Sequence, residues 1–69
     1  MCLIKVYMEK GDSKELIAED ITLVSKDGDK IILHSFFKDI PAIEGVDISL
    51  IDTLNSTMLI KSKTLGVSQ

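Results

Sequence analysis

The stretch Lys26-Asp27-Gly28-Asp29-Lys30-Ile31-Ile32-Leu33 decides the fold. Asp-Gly supplies the positive φ angles of a tight primed hairpin turn, so strands are expected on both sides of it. Downstream, Lys30 to Phe37 is β-branched and apolar, with Ile31, Leu33 and Ser35 on one face and Ile32, His34 and Phe36 on the other. Upstream, Glu15 to Ser25 is a second run in which Leu16 and Ala18 share a face, Glu19 and Asp20 interrupt, and Ile21 and Leu23 resume in the opposite parity. A slip of one residue is what a β-bulge or strand bend produces, and small barrels need such bends to close. A helix over Ser13 to Leu23, capped by Ser13, is the rival reading of this segment.

Working outward, Lys10-Gly11-Asp12-Ser13-Lys14 collects turn formers and joins this run to an opening strand. In that strand Cys2, Ile4, Val6 and Met8 fall on one face and Lys5, Tyr7 and Glu9 on the other, so the chain's one cysteine is carried on a strand. On the other side, Lys38 to Gly45 breaks the third strand, because Pro41 lacks the N–H that a sheet ladder uses. Val46 to Leu54 is a fourth strand, with Val46, Ile48 and Leu50 set against Asp47 and Ser49. Asn55-Ser56 is a turn, Thr57 to Lys61 a fifth strand, and periodicity lapses from Ser62. The expected fold is mainly β: one domain, 1–61, built as a small five- to six-stranded barrel or sandwich, followed by a mobile tail, 62–69.

A 69-residue chain removes only about 60% of its unfolded surface from water, and proteins of that size usually add disulfides, a metal or a second subunit. One cysteine excludes an intrachain disulfide. An apolar share of 45% without tryptophan is more aliphatic surface than one small barrel hides, which favours burial against a second copy. Net charge −3, pI near 4.9 and the lack of any arginine argue against a nucleic-acid partner, whose phosphates need clustered cations. No apolar run nears the roughly 20 residues of a membrane span, and the first residues have neither a basic region nor a small-residue cleavage site. A cytoplasmic protein with a reduced thiol is expected.

Cys2 is the leading chemical candidate. A thiolate is a soft donor for nickel, copper(I) or zinc, and the main-chain nitrogen of the same residue closes a five-membered chelate with it. Met1 adds a terminal amine if it is retained; if it is excised, the Cys2 nitrogen is itself that amine. Two chains at a two-fold axis supply two sulfurs and two nitrogens, a planar set that suits nickel(II) or copper(II) better than zinc. Two other roles for Cys2 remain open: a small buried apolar residue, or a nucleophile paired with His34. His34 itself reads as a packing or solvent-facing residue, with ligation as the alternative. Glu19, Asp20, Asp27 and Asp29 lack the further carboxylates of a calcium loop. Met8 and Met58 lie in apolar alternation and read as core. Tyr7, Phe36 and Phe37 could stack bases, the one feature that favours a small-barrel RNA-binding or protein-interaction module in which Cys2 is structural.

The opening Met1-Cys2-Leu3, Lys5-Val6-Tyr7, the Gly11-Asp12 turn, Glu19-Asp20-Ile21, Asp27-Gly28-Asp29, Phe36-Phe37 and Glu44-Gly45-Val46-Asp47-Ile48 together resemble the CooT-type family of small nickel-binding proteins. The likeness runs in one register from Met1 to about Ile60, and cysteine at position two is its specific element. What the resemblance implies is a non-enzymatic homodimer of small SH3-like β-barrels. It implies one Ni2+ per dimer held at the interface by Cys2 of both chains, with Met1 beside it, for a nickel-enzyme client such as a carbon monoxide dehydrogenase. Some members of that family have carried the label of RNA-binding protein.

Overall fold

The computed structural model describes residues 3–63. Six strands follow one another: β1 (Ile4–Lys10), β2 (Ser13–Asp27), β3 (Lys30–Ser35), β4 (Ile43–Glu44), β5 (Val46–Asp52) and β6 (Thr57–Ser62). They form one sheet in the order β4-β3-β2-β1-β6-β5, antiparallel throughout except for the parallel pair β1 and β6. The helix considered for Ser13 to Leu23 is not formed, because that segment lies within the longest strand. Gly11 and Gly28 each open a two-residue turn at positive φ, +62° and +63°, between the terminal pairs Lys10–Ser13 and Asp27–Lys30. Asp27, expected in the turn, is thus the last residue of β2.

The bend expected at Glu19-Asp20 is present. Ile4 pairs with Ile21 but Val6 with Ala18, so β2 carries one residue too many there, and Asp20 takes φ +60° to absorb it. Further irregularities fall at Ile17 and Thr22: Tyr7 pairs with Leu16 directly after Val6 with Ala18, and Leu23 with His34 after Ile21 with Ser35. Ala18 and Ile21 are both buried, and Val24 packs against the same core, a spacing of three that a bulged strand brings to one face. The core is Val6, Ala18, Ile21, Ile31, Leu33, Val46, Met58 and Ile60, with Ile4, Met8, Val24, Ile40, Ile43 and Ile48 packed against it.

Two expectations are corrected. The break between the third and fourth strands contains a strand of its own, since Ile43 and Glu44 pair with Ile31 and Lys30, which makes six strands where the alternation alone yields five. The barrel is not closed either. Its end strands β4 and β5 are consecutive in the chain, yet each pairs with the opposite end of the sheet. Gly45 stands between them at φ +72°. Its N–H donates to the Asp29 carbonyl at 3.1 Å and its own carbonyl accepts from the Lys63 N–H at 2.9 Å. One glycine, not a hydrogen-bonded ladder, therefore spans the seam of the rolled sheet. The Lys63 ammonium seals the same corner by an ion pair of 2.6 Å to Asp29. Ser62 still belongs to β6; the rest of the expected tail, from residue 64, lies outside the described residues.

Candidate functional site

Met1 and Cys2 also lie outside the described residues, so what the structure supplies is the platform from which they extend. β1 starts at Ile4, and the next N–H, of Lys5, donates to the Ser56 carbonyl at 3.0 Å, tying the strand's first residues to the turn before β6. Beside this point the rolled sheet has an open mouth. A cleft of about 360 Å³ is lined by Ile4, Val24, Ile48, Ile51 and Met58, and its rim is formed by Asp52, Thr53, Ser56 and Thr57. Its apolar walls continue the core outward, because Ile4, Val24 and Ile48 pack on buried side chains while Ile51 is 61% exposed.

The one carboxylate on that rim is already engaged. Asp52 Oδ1 accepts from the N–H groups of Leu54 and Asn55, both at 3.1 Å, and Oδ2 accepts from the Asn55 side-chain amide at 2.8 Å. These bonds, the Asn55 side-chain amide foremost, hold its carboxyl below the usual range. The same turn carries Ser56 at φ +55°. Asp52 shapes the rim and is not a spare ligand.

His34 is exposed on β3, opposite Leu23, and its carbonyl accepts from the Thr22 hydroxyl at 3.2 Å. Among the described residues no three His, Cys, Asp or Glu side chains converge as a metal site. Glu19 and Asp20 mark the β2 bend, Asp27 ends that strand, and Asp29 is bound to Lys63, whose hydrogen bond and charge hold its carboxyl below the usual range. Met58 is buried and Met8 packs on the core, as their alternation indicates. Tyr7 lies on β1 beneath the Lys14 ammonium, 4.7 Å from the ring centre, while Phe36 and Phe37 follow β3 at 77% and 70% exposure. The mouth cleft itself was not legible in the sequence. Its walls come from β1, β2, β5 and β6, and only their register reveals that they meet.

The family model described as CO dehydrogenase accessory protein CooT matches residues 1–61. The chain belongs to the CooT family. The match takes in Cys2 and every strand up to the penultimate residue of β6. A CooT protein is by that description an accessory to an enzyme and not itself a catalyst. No curated protein matches the chain. No helix among the described residues is long and apolar enough to cross a membrane.

Proposed function

We propose that this protein is a homodimeric nickel carrier that holds Ni2+ for a carbon monoxide dehydrogenase, with Cys2 of both chains as ligands and Met1 adjacent. The observation that carries this reading is membership of the CooT family over residues 1–61, joined to the donor chemistry of the chain's one thiol. Nickel is cargo here, bound and passed on.

The structure supports the reading in two ways. The chain's one thiol precedes β1, whose first residues are tied to the turn before β6 by the hydrogen bond from the Lys5 N–H to the Ser56 carbonyl. One chain has one thiolate, and a two-fold axis doubles it to the sulfur and nitrogen set that nickel(II) accepts in a plane. In addition, large aliphatic side chains of the sheet stand in water, Leu16 at 44% and Leu50 at 49% exposure, surface that a second copy would cover. A free thiol is best kept reduced in the cytoplasm, where a nickel-enzyme client would be matured.

The test is a titration of the reduced protein with nickel(II), copper(II) and zinc(II), followed by sulfur-to-metal charge-transfer absorption. The wild type should saturate at one nickel per two chains, Cys2→Ser should lose the band, and His34→Ala should bind like the wild type. Absence of nickel binding in the wild type would refute the proposal. Saturation at one nickel per chain would place the site within a single subunit.

A further inference from the structure

Two bulges in the sheet each turn a leucine from the inner face to the outer one. On β2, Ala18 pairs with Val6 and Leu16 with Tyr7, leaving Ile17 extra; on β5, Ile48 pairs with Ile60 and Leu50 with Leu59, leaving Ser49 extra. Simple alternation would turn Leu16 inward with Ala18 and Leu50 inward with Ile48. The extra residue reverses both. Val6, Met8, Met58 and Ile60 face the core, so Tyr7 and Leu59 face outward, and Leu16 and Leu50 now stand beside them. Tyr7 pairs with Leu59 across β1 and β6. The result is an unbroken outer row, Leu16-Tyr7-Leu59-Leu50, across β2, β1, β6 and β5, whose end members are 44% and 49% exposed.

The adjoining outer row is charged and alternates in sign. Lys14 pairs with Glu9, and Lys61 with Asp47. Glu9 and Lys61 each lie one residue beyond the Met8–Ile60 pair, at one level. Across the four strands the row therefore reads Lys14, Glu9, Lys61, Asp47. Its present contacts are light: Lys14 rests over Tyr7, and Glu9 accepts one hydrogen bond, at 3.0 Å, from the Ser49 hydroxyl.

We propose that this outer face is where a second copy of the chain docks, about a two-fold axis that runs along the strands between β1 and β6. The inference rests on the dimeric nickel reading and specifies its interface. That operator lays β2 over the partner's β5 and β1 over the partner's β6. Leu16 meets Leu50, Tyr7 meets Leu59, Lys14 meets Asp47 and Glu9 meets Lys61, so the apolar row covers itself and each cation of the charged row faces an anion. Facing sheets pack about 10 Å apart. Because the axis follows the strands, both β1 strands begin at the same end of the dimer. The two starts of β1 thus lie at one end, as a metal shared by both chains requires. An axis across the strands would put them at opposite ends. A stable interface takes about 800 Å² from each partner, roughly one sixth of the 4873 Å² this chain exposes.

Analytical ultracentrifugation of Leu50→Lys, Ile51→Lys and the charge variants tests the face. Ile51 is the better exposed of the two neighbours and lines the mouth cleft instead of the row. Leu50→Lys should raise the dimer dissociation constant by about thirtyfold or more, with an unchanged circular dichroism spectrum, while Ile51→Lys leaves it within a few-fold of the wild type. Lys14→Glu alone should weaken the dimer, and Lys14→Glu with Asp47→Lys should restore it; this pair keeps the test decisive should Leu50→Lys fail to fold. A wild-type dimer that Ile51→Lys dissociates and Leu50→Lys does not overturns the face and leaves the dimeric reading standing. A wild type that stays monomeric with nickel bound overturns both.

Discussion

Ile21 is the residue on which the rolled sheet turns. It is fully buried, pairs with Ile4 on one side and Ser35 on the other, and directly follows the bend at Asp20. Cutting a buried isoleucine to alanine costs about 2–5 kcal/mol, the upper part of the range applying where the surroundings cannot collapse. Collapse is restricted here, because Ile21 is held by ladders on both edges and its neighbours Val6, Ile31 and Ile60 are themselves fully buried. A domain of this length has roughly 3–10 kcal/mol of stability in all. Ile21→Ala is therefore expected to remove about half of it or more, whereas Leu54→Ala, at a site 90% exposed, should stay within about 0.5 kcal/mol.

Urea unfolding followed by far-UV circular dichroism measures the difference. It should be run at two protein concentrations a hundredfold apart, because a dimer gains about 2.7 kcal/mol from that increase and can mask part of the loss. At the lower concentration the urea midpoint of Ile21→Ala should fall to about half the wild-type value or less. A cost below about 1 kcal/mol there would refute the reasoning, since it would mean that the β2 bend does not close the core.

Two further predictions concern pH. Nickel binding requires the thiolate, whose ordinary pKa is about 8.5, and a deprotonated nitrogen, so apparent affinity should rise with pH through that range; an affinity flat between about pH 6.5 and 9 would show that the sulfur is not a ligand. Asp29, its carboxyl lowered first by the hydrogen bond from Lys63 and then by that cation's charge, contributes stability that is present above the unfolded carboxylate value of about 3.9 and is lost as pH falls through its folded value. Asp29→Asn should accordingly be less stable than the wild type at neutral pH and converge with it at about pH 2, read from urea midpoints. A gap that persists at pH 2 would assign the effect to something other than this ion pair.

What the sequence revealed and what it hid follow from how far each signal reaches along the chain. Turn chemistry is local, so Gly11 and Gly28 announce the β1–β2 and β2–β3 hairpins. The Glu19-Asp20 interruption announces the bend for the same reason, because a parity slip is visible within one strand. The slips at Ile17 and Ser49 are different. Leu16 with Ala18, and Leu50 with Ile48, look like correct alternation, and each is reversed by a bulge that exists only relative to the neighbouring strand. The seam is hidden in the same way: Ile43-Glu44 becomes a strand only when Ile31 and Lys30 are beside it, and nothing local distinguishes a glycine that spans two sheet ends from one that makes a turn. The outer row shows why this matters for function. Without those bulges Ile17 and Ser49 would stand beside Tyr7 and Leu59, and Leu16 and Leu50 would turn inward. With them, Leu16 and Leu50 end the outer row at 44% and 49% exposure, surface that the proposed second copy would cover. The register of β2 and β5 thus sets the face on which the proposed dimer would form, and the proposed two-sulfur nickel site needs the same two chains.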